Sequence, residues 1–160
     1  MTLIVETGTI VANANSYVSV ADATDYASVR GLVFAGDVEQ MLRQAMDYIE
    51  QQPFIGTKKT IDQPLQWPRY NAYIDGYLFP SDDIPQQLIY AQIEAALAID
   101  AGNSPLNPVA PAVKRKKLDT LEIEYQSGAS SATYAVKINN WLKKLIGGAS
   151  GANVIKVSKA

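Results

Sequence analysis

The chain has 160 residues, 48% hydrophobic and 19% charged, with a net charge of −2, a composition suited to one globular domain with a real core. It contains neither cysteine nor histidine, which excludes disulfides, thiolate metal sites and nucleophile systems built on histidine. Charge is uneven: residues 1–113 hold 5 basic and 13 acidic side chains, residues 114–160 hold 9 and 3, a pattern expected of a docking end or of a basic segment lying on an acidic body.

Taken in chain order, LIVETGTIV is rich in β-branched residues and reads as an extended arm or short strand. Ser19 with Asp22 three residues on predicts a capped short helix that ends at Gly31, with Val20, Ala23, Tyr26 and Ala27 on one face. Asp37 with Gln40 opens a second helix, whose stripe Val38, Met41, Leu42, Ala45, Tyr48 and Ile49 is core packing, and Pro53 closes it. Residues 53–83 then form a long connection with four of the eight prolines. Within it, LQWPRYNAYIDGYLFPSDDIP (65–85) carries five of the fourteen aromatics and fits neither a helical nor a strand period. Disordered segments are poor in aromatic residues, so this loop is expected to be packed.

SDDIPQQLIYAQIEAALAIDAG predicts a third helix, with Ser81 to Asp83 as the cap, Pro85 in the first turn and Gly102 as the stop. It is apolar nearly all round, as the central helix of a bundle would be. A Pro-rich linker leads to KRKK (114–117), and LEIEY then alternates as a half-buried strand. That strand is expected to pair with the N-terminal arm or with the edge of another subunit. Tyr134, Ile138, Trp141, Leu142 and Leu145 give a last helix, with Lys143 and Lys144 at its C-terminal end. The fold class is therefore mainly α: a bundle of about four helices with a long aromatic and Pro-rich loop and a minor β element (the N-terminal arm and strand 118–126). Residues 1–146 form the domain and 147–160 a Gly/Ala/Ser-rich tail.

No catalytic constellation emerges. Asp82–Asp83 suits helix capping and Glu122–Glu124 the solvent face of a strand, and neither has a nucleophile beside it. No enzyme activity, cofactor or metal is expected. No apolar run approaches the roughly 20 residues that span a bilayer, and the opening MTLIVETGTI lacks the regions of a secretory signal. The expected compartment is cytoplasm or a particle assembled there, with no membrane contact.

The runs LIVETGT…NSYVSVADATDYASVRG, LQWPRYNAYIDGYLFPSDDIPQQL and LEIEYQSGA together resemble, over residues 3–146, a family of tailed-bacteriophage proteins. Its members are labelled DnaT-like single-strand DNA-binding proteins, and in size and layout they are similar to head–tail connector (adaptor) proteins. The connector likeness implies a structural virion protein at the head–tail junction, made in the host cytoplasm. There it would form a homo-oligomeric ring of about twelve copies, with the portal protein and the stopper or tail-completion proteins as partners and double-stranded DNA passing without specific binding. On that reading Trp141, Lys143, Lys144, Leu145, Ile146, Val154, Ile155 and Lys156 dock on the portal, and Trp67, Arg69, Tyr70, Tyr73, Tyr77 and Phe79 pack between subunits. The alternative is a single-stranded DNA binder using the basic C-terminal segment: KRKK, Lys137, Lys143 and Lys144, with Tyr125, Tyr134 or Trp141 as stacking surfaces. Against it, residues 65–85 offer only Arg69 beside Asp75, Asp82 and Asp83.

Overall fold

The computed structural model describes residues 2–106, 113–117, 122–125 and 131–147. Within them lie four helices, α1 (Val20–Val29), α2 (Val38–Ile49), α3 (Gln86–Asp100) and α4 (Ser131–Leu142). Three two-stranded antiparallel pairs accompany them: β1 (Thr57–Lys58) with β2 (Arg69–Tyr70), β3 (Tyr73–Ile74) with β4 (Tyr77–Leu78), and β5 (Val113–Lys117) with β6 (Glu122–Tyr125). The chain is mainly helical with a minor β element, as its periodicity predicts.

The first two helices start at the capping residues. Ser19 Oγ accepts the N–H of Asp22 at 3.1 Å, and Asp37 Oδ1 accepts that of Gln40 at 3.3 Å, each satisfying a donor that the first turn would otherwise orphan. α1 buries Ala23, Tyr26 and Ala27, and α2 buries Leu42, Ala45, Met46 and Ile49. α3 begins differently from expectation. Pro85 is its N-cap, with an extended ψ of 132°, and no side chain caps the helix. The Asp83 carboxylate instead accepts the N–H of Ile84 at 2.8 Å.

α3 is the central helix, packed against both α2 and α4. Two of its buried side chains are polar, and each is paired, as burial demands. Gln92 accepts the Tyr17 N–H at 2.9 Å and donates to Ser16 Oγ at 2.8 Å and to the Leu42 carbonyl at 3.0 Å. Glu94 accepts the Tyr26 hydroxyl at 2.9 Å, with Lys137 Nζ 3.9 Å away. These contacts fasten α3 to the N-terminal segment and to the other three helices.

The N-terminal arm makes only an isolated parallel bridge, Val5 to Ser16. Its loop is held by buried Glu6, which accepts the N–H groups of Gly8, Ile10 and Val11 at 2.8, 3.0 and 2.8 Å. β6 pairs with β5, which contains the KRKK run itself, and not with the N-terminal arm. The register sets Arg115 opposite Glu124 and Lys117 opposite Glu122.

Candidate nucleic-acid interface

The long connection after α2 is ordered by doubling back twice. Thr57 and Lys58 pair with Tyr70 and Arg69, and Tyr73 and Ile74 pair with Leu78 and Tyr77. The second hairpin closes through Asp75–Gly76, both at positive φ (53° and 86°), the backbone that a two-residue type I′ turn requires. Asp-Gly between two apolar–aromatic pairs is a strong local hairpin signal, which the lack of a single period across 65–85 obscures.

The strands sort the segment into two sides. Inside, Trp67 is fully buried, with Phe54 and Phe79 edge-on to its ring at 6.1 and 5.8 Å. The Trp67–Pro68 peptide is cis. Arg69, also buried, donates from Nε to the Ile55 carbonyl at 2.7 Å, from Nη2 to that of Gly56 at 2.9 Å and from Nη1 to Gln66 Oε1 at 2.9 Å. Its planar fork ties both ends of the loop together, and burial lowers its pKa. Outside the core, Tyr70, Tyr73, Tyr77 and Leu78 are 44%, 59%, 80% and 58% exposed, and the register sets Tyr73 with Leu78 on one face of the second hairpin and Tyr77 with buried Ile74 on the other.

A carboxylate at the end of α2 fixes this platform to the body. Glu50 accepts the Tyr17 hydroxyl at 2.5 Å and the Gln66 N–H at 2.7 Å, and the Tyr17 oxygen accepts the Trp67 N–H at 3.1 Å. Burial pushes the Tyr17 phenol well above its ordinary range, with the Glu50 charge adding to the effect. Burial also raises the Glu50 carboxyl, against the opposing hydrogen bonds from Tyr17 and Gln66.

The end of α4 lies along the start of the same loop. Leu145 is buried and its carbonyl accepts the Ile55 N–H at 2.9 Å; Ile146 bridges to Phe54; Gly147 donates to the Pro53 carbonyl at 2.8 Å. Lys144 Nζ then sits 2.7 Å from Asp75 Oδ2 at the hairpin tip, and Lys143 beside it is exposed. The strand facing Tyr70 contributes Lys58, whose ammonium donates to the Gln63 carbonyl at 3.2 Å, and Lys59 follows it. The structure therefore brings Lys144, from a distant part of the chain, to the tip of a tyrosine-bearing hairpin that looked acidic in sequence.

Other residues singled out from sequence fall as follows. Trp141 is half-buried, edge-on to Tyr90 at 5.0 Å, and Phe79 is half-buried against Trp67. Tyr134 is partly buried. Val154, Ile155 and Lys156 lie outside the described residues. No helix among those residues is long and apolar enough to cross a membrane.

A family model described as "Putative DnaT-like ssDNA binding protein" matches residues 1–160. No curated protein and no solved structure matches the chain. The family match overturns the connector expectation, and with it the dodecameric virion ring and the portal, stopper and tail-completion partners. Its description points to single-stranded DNA, and nothing supports a connector role. The features that had pointed to a ring also have accounts within one chain: the Trp67 ring packs into its own core, and Lys144 of the basic C-terminal segment pairs with Asp75. The chain belongs to the DnaT-like single-stranded DNA-binding family.

Proposed function

We propose that the protein binds single-stranded DNA around the tip of the tyrosine hairpin, next to the C-terminal end of α4. The observation that carries this reading is the Lys144–Asp75 contact, which sets exposed Lys143 and Lys144 at the turn joining the strands of Tyr73 and Tyr77. Bases stack on the tyrosine rings, each worth about 1–3 kcal/mol, and any base has the required π-face. Lys143 and Lys144 follow the phosphates. The protein acts by holding the strand, without a chemical step.

Titration of a fluorescein-labelled oligothymidylate with the full chain, read by anisotropy at several salt concentrations, tests this. Saturable binding should weaken linearly in log–log terms, with a slope of about 0.7 per phosphate neutralised. Alanine at Tyr73 and Tyr77 should weaken it further. Absence of binding at low salt would sink the proposal.

A further inference from the structure

A cavity of about 270 Å³ lies away from the hairpin, between the N-terminal segment, α1 and α3. Its walls include Tyr26, Tyr90, Ile89 and Ile93, with Asp22 and Gln86 among the polar lining residues. We infer that this cavity is a nucleobase subsite selective for bases with an exocyclic amino group, an inference that rests on the single-stranded DNA reading above.

Size comes first. The volume is far more than one water needs and sits near the lower end of ligand pockets, which suits a single planar ring system. The walls are suited to such a ring. Tyr26 and Tyr90 have centroids 4.9 Å apart with planes inclined at 41°, and the hydroxyl of Tyr26 is anchored on Glu94. Trp141 braces Tyr90 edge-on.

The polar groups set the selectivity. Gln86 donates from Nε2 to the Tyr90 hydroxyl at 2.7 Å, which leaves its amide oxygen as an acceptor. Asp22 Oδ2 accepts the Ser19 hydroxyl at 2.6 Å, and its second oxygen is a further acceptor. Two acceptors at the edge of an aromatic cavity match the amino groups of cytosine, adenine or guanine, which thymine lacks.

A phosphate partner is close by. The exposed Arg30 guanidinium lies 3.4 Å from the Tyr26 ring centroid and donates from Nη1 to the Tyr26 carbonyl at 3.1 Å. Its remaining donors are available to a 5′-phosphate. α4 touches both sites, bracing Tyr90 through Trp141 and meeting the hairpin tip through Lys144, which follows three positions later.

The test is NMR of the full chain with labelled tyrosine rings, titrated with dCMP and with dTMP. Saturable shifts of Tyr26 and Tyr90 should appear with dCMP at concentrations several-fold below those needed for dTMP. That preference should vanish in an Asp22→Ala/Gln86→Ala variant, whose thermal stability reports whether the fold is retained. Tyrosine shifts equal for the two nucleotides, or unaltered in the variant, would overturn the subsite. Silence at Tyr26 and Tyr90 while an oligothymidylate still shifts Tyr73 and Tyr77 would overturn it and leave the hairpin reading standing. An oligothymidylate that moves no tyrosine would bring down that reading itself.

Discussion

Lys144 and Asp75, sixty-nine positions apart in the sequence, form an ion pair at 2.7 Å across two half-exposed side chains. Such a surface pair adds little to stability, typically below about 1 kcal/mol, so its interest lies in what it occupies. An incoming phosphate must compete with Asp75 for the ammonium. Asp75→Asn removes the competitor, and asparagine tolerates the left-handed backbone of that turn. The variant should bind an oligothymidylate several-fold more tightly in the anisotropy titration. Lys144→Ala should bind more weakly, with a salt slope shallower by about 0.7.

The tyrosines should separate binding from folding. Tyr73 and Tyr77 are mostly exposed, so alanine at either position should leave the urea midpoint close to that of the parent. Affinity for single-stranded DNA should fall by about 1–3 kcal/mol for each stacked ring lost. Equal affinity in the double variant would mean that bases do not stack there.

Trp67 should behave in the opposite way. Its ring is fully enclosed between Phe54 and Phe79, so Trp67→Ala should cost about 3–5 kcal/mol of stability through lost burial and the cavity left behind. Chemical denaturation followed by far-UV circular dichroism measures this. A loss below about 1 kcal/mol would contradict the packing described.

The Glu50 carboxyl gives the fold a pH dependence of definite sign. Burial raises its pKa in the folded chain, so the folded state holds this proton more tightly than the unfolded one. The resulting stabilisation is fully present below the unfolded value of about 4.3. It is lost as pH rises through the raised folded value. The stability of the parent relative to Glu50→Gln should therefore decline from pH 4 towards neutrality, as urea unfolding at several pH values would show. A difference that grows with pH would mean that the hydrogen bonds from Tyr17 and Gln66 outweigh burial.

Two glycines with positive φ should respond unequally to alanine. At Gly76 (φ 86°) an added Cβ meets nothing, so only the backbone cost of about 1–2 kcal/mol applies. At Gly8 (φ 98°) the Cβ would collide with the backbone carbonyl of Asp82, and the N-terminal loop would have to move away from the lead-in to α3. Gly8→Ala should lower the melting temperature clearly more than Gly76→Ala.

The local features of this fold were legible in the sequence. Ser19 and Asp37 cap the helices they precede, the stripes of α2 and α4 face the core, and the aromatic loop packs through Trp67 and Phe79, although Tyr70, Tyr73 and Tyr77 stay exposed. What escaped was non-local. Gln92 and Glu94 sit on a helix that reads as apolar all round, and their partners Ser16, Tyr17 and Tyr26 come from the opposite end of the chain. No periodicity reports which distant group will satisfy a buried amide. The candidate interface was half-visible for the same reason: the rings of 65–85 stood out, but the lysines beside them come from a helix whose docking no local pattern announces. Strand pairing is non-local in the same way: the KRKK run lies in β5, whose partner strand is Glu122–Tyr125.

α4 is pinned near its last turn on two sides. Asn139 accepts the Tyr48 hydroxyl at 3.0 Å, and Ile146 bridges to Phe54 on the far side of Lys144. The angular phase of the helix is thereby locked. A residue inserted in the helical part of this stretch, between Asn139 and Leu142, would turn whatever follows by about 100° and advance it by about 1.5 Å. It would swing Lys144 off the hairpin tip or break the Phe54 bridge. A full turn would restore the angle but carry Lys144 about 5.4 Å along the axis. The spacing from Asn139 to Ile146 therefore works as a ruler of fixed length that keeps Lys144 aligned with the tyrosine hairpin.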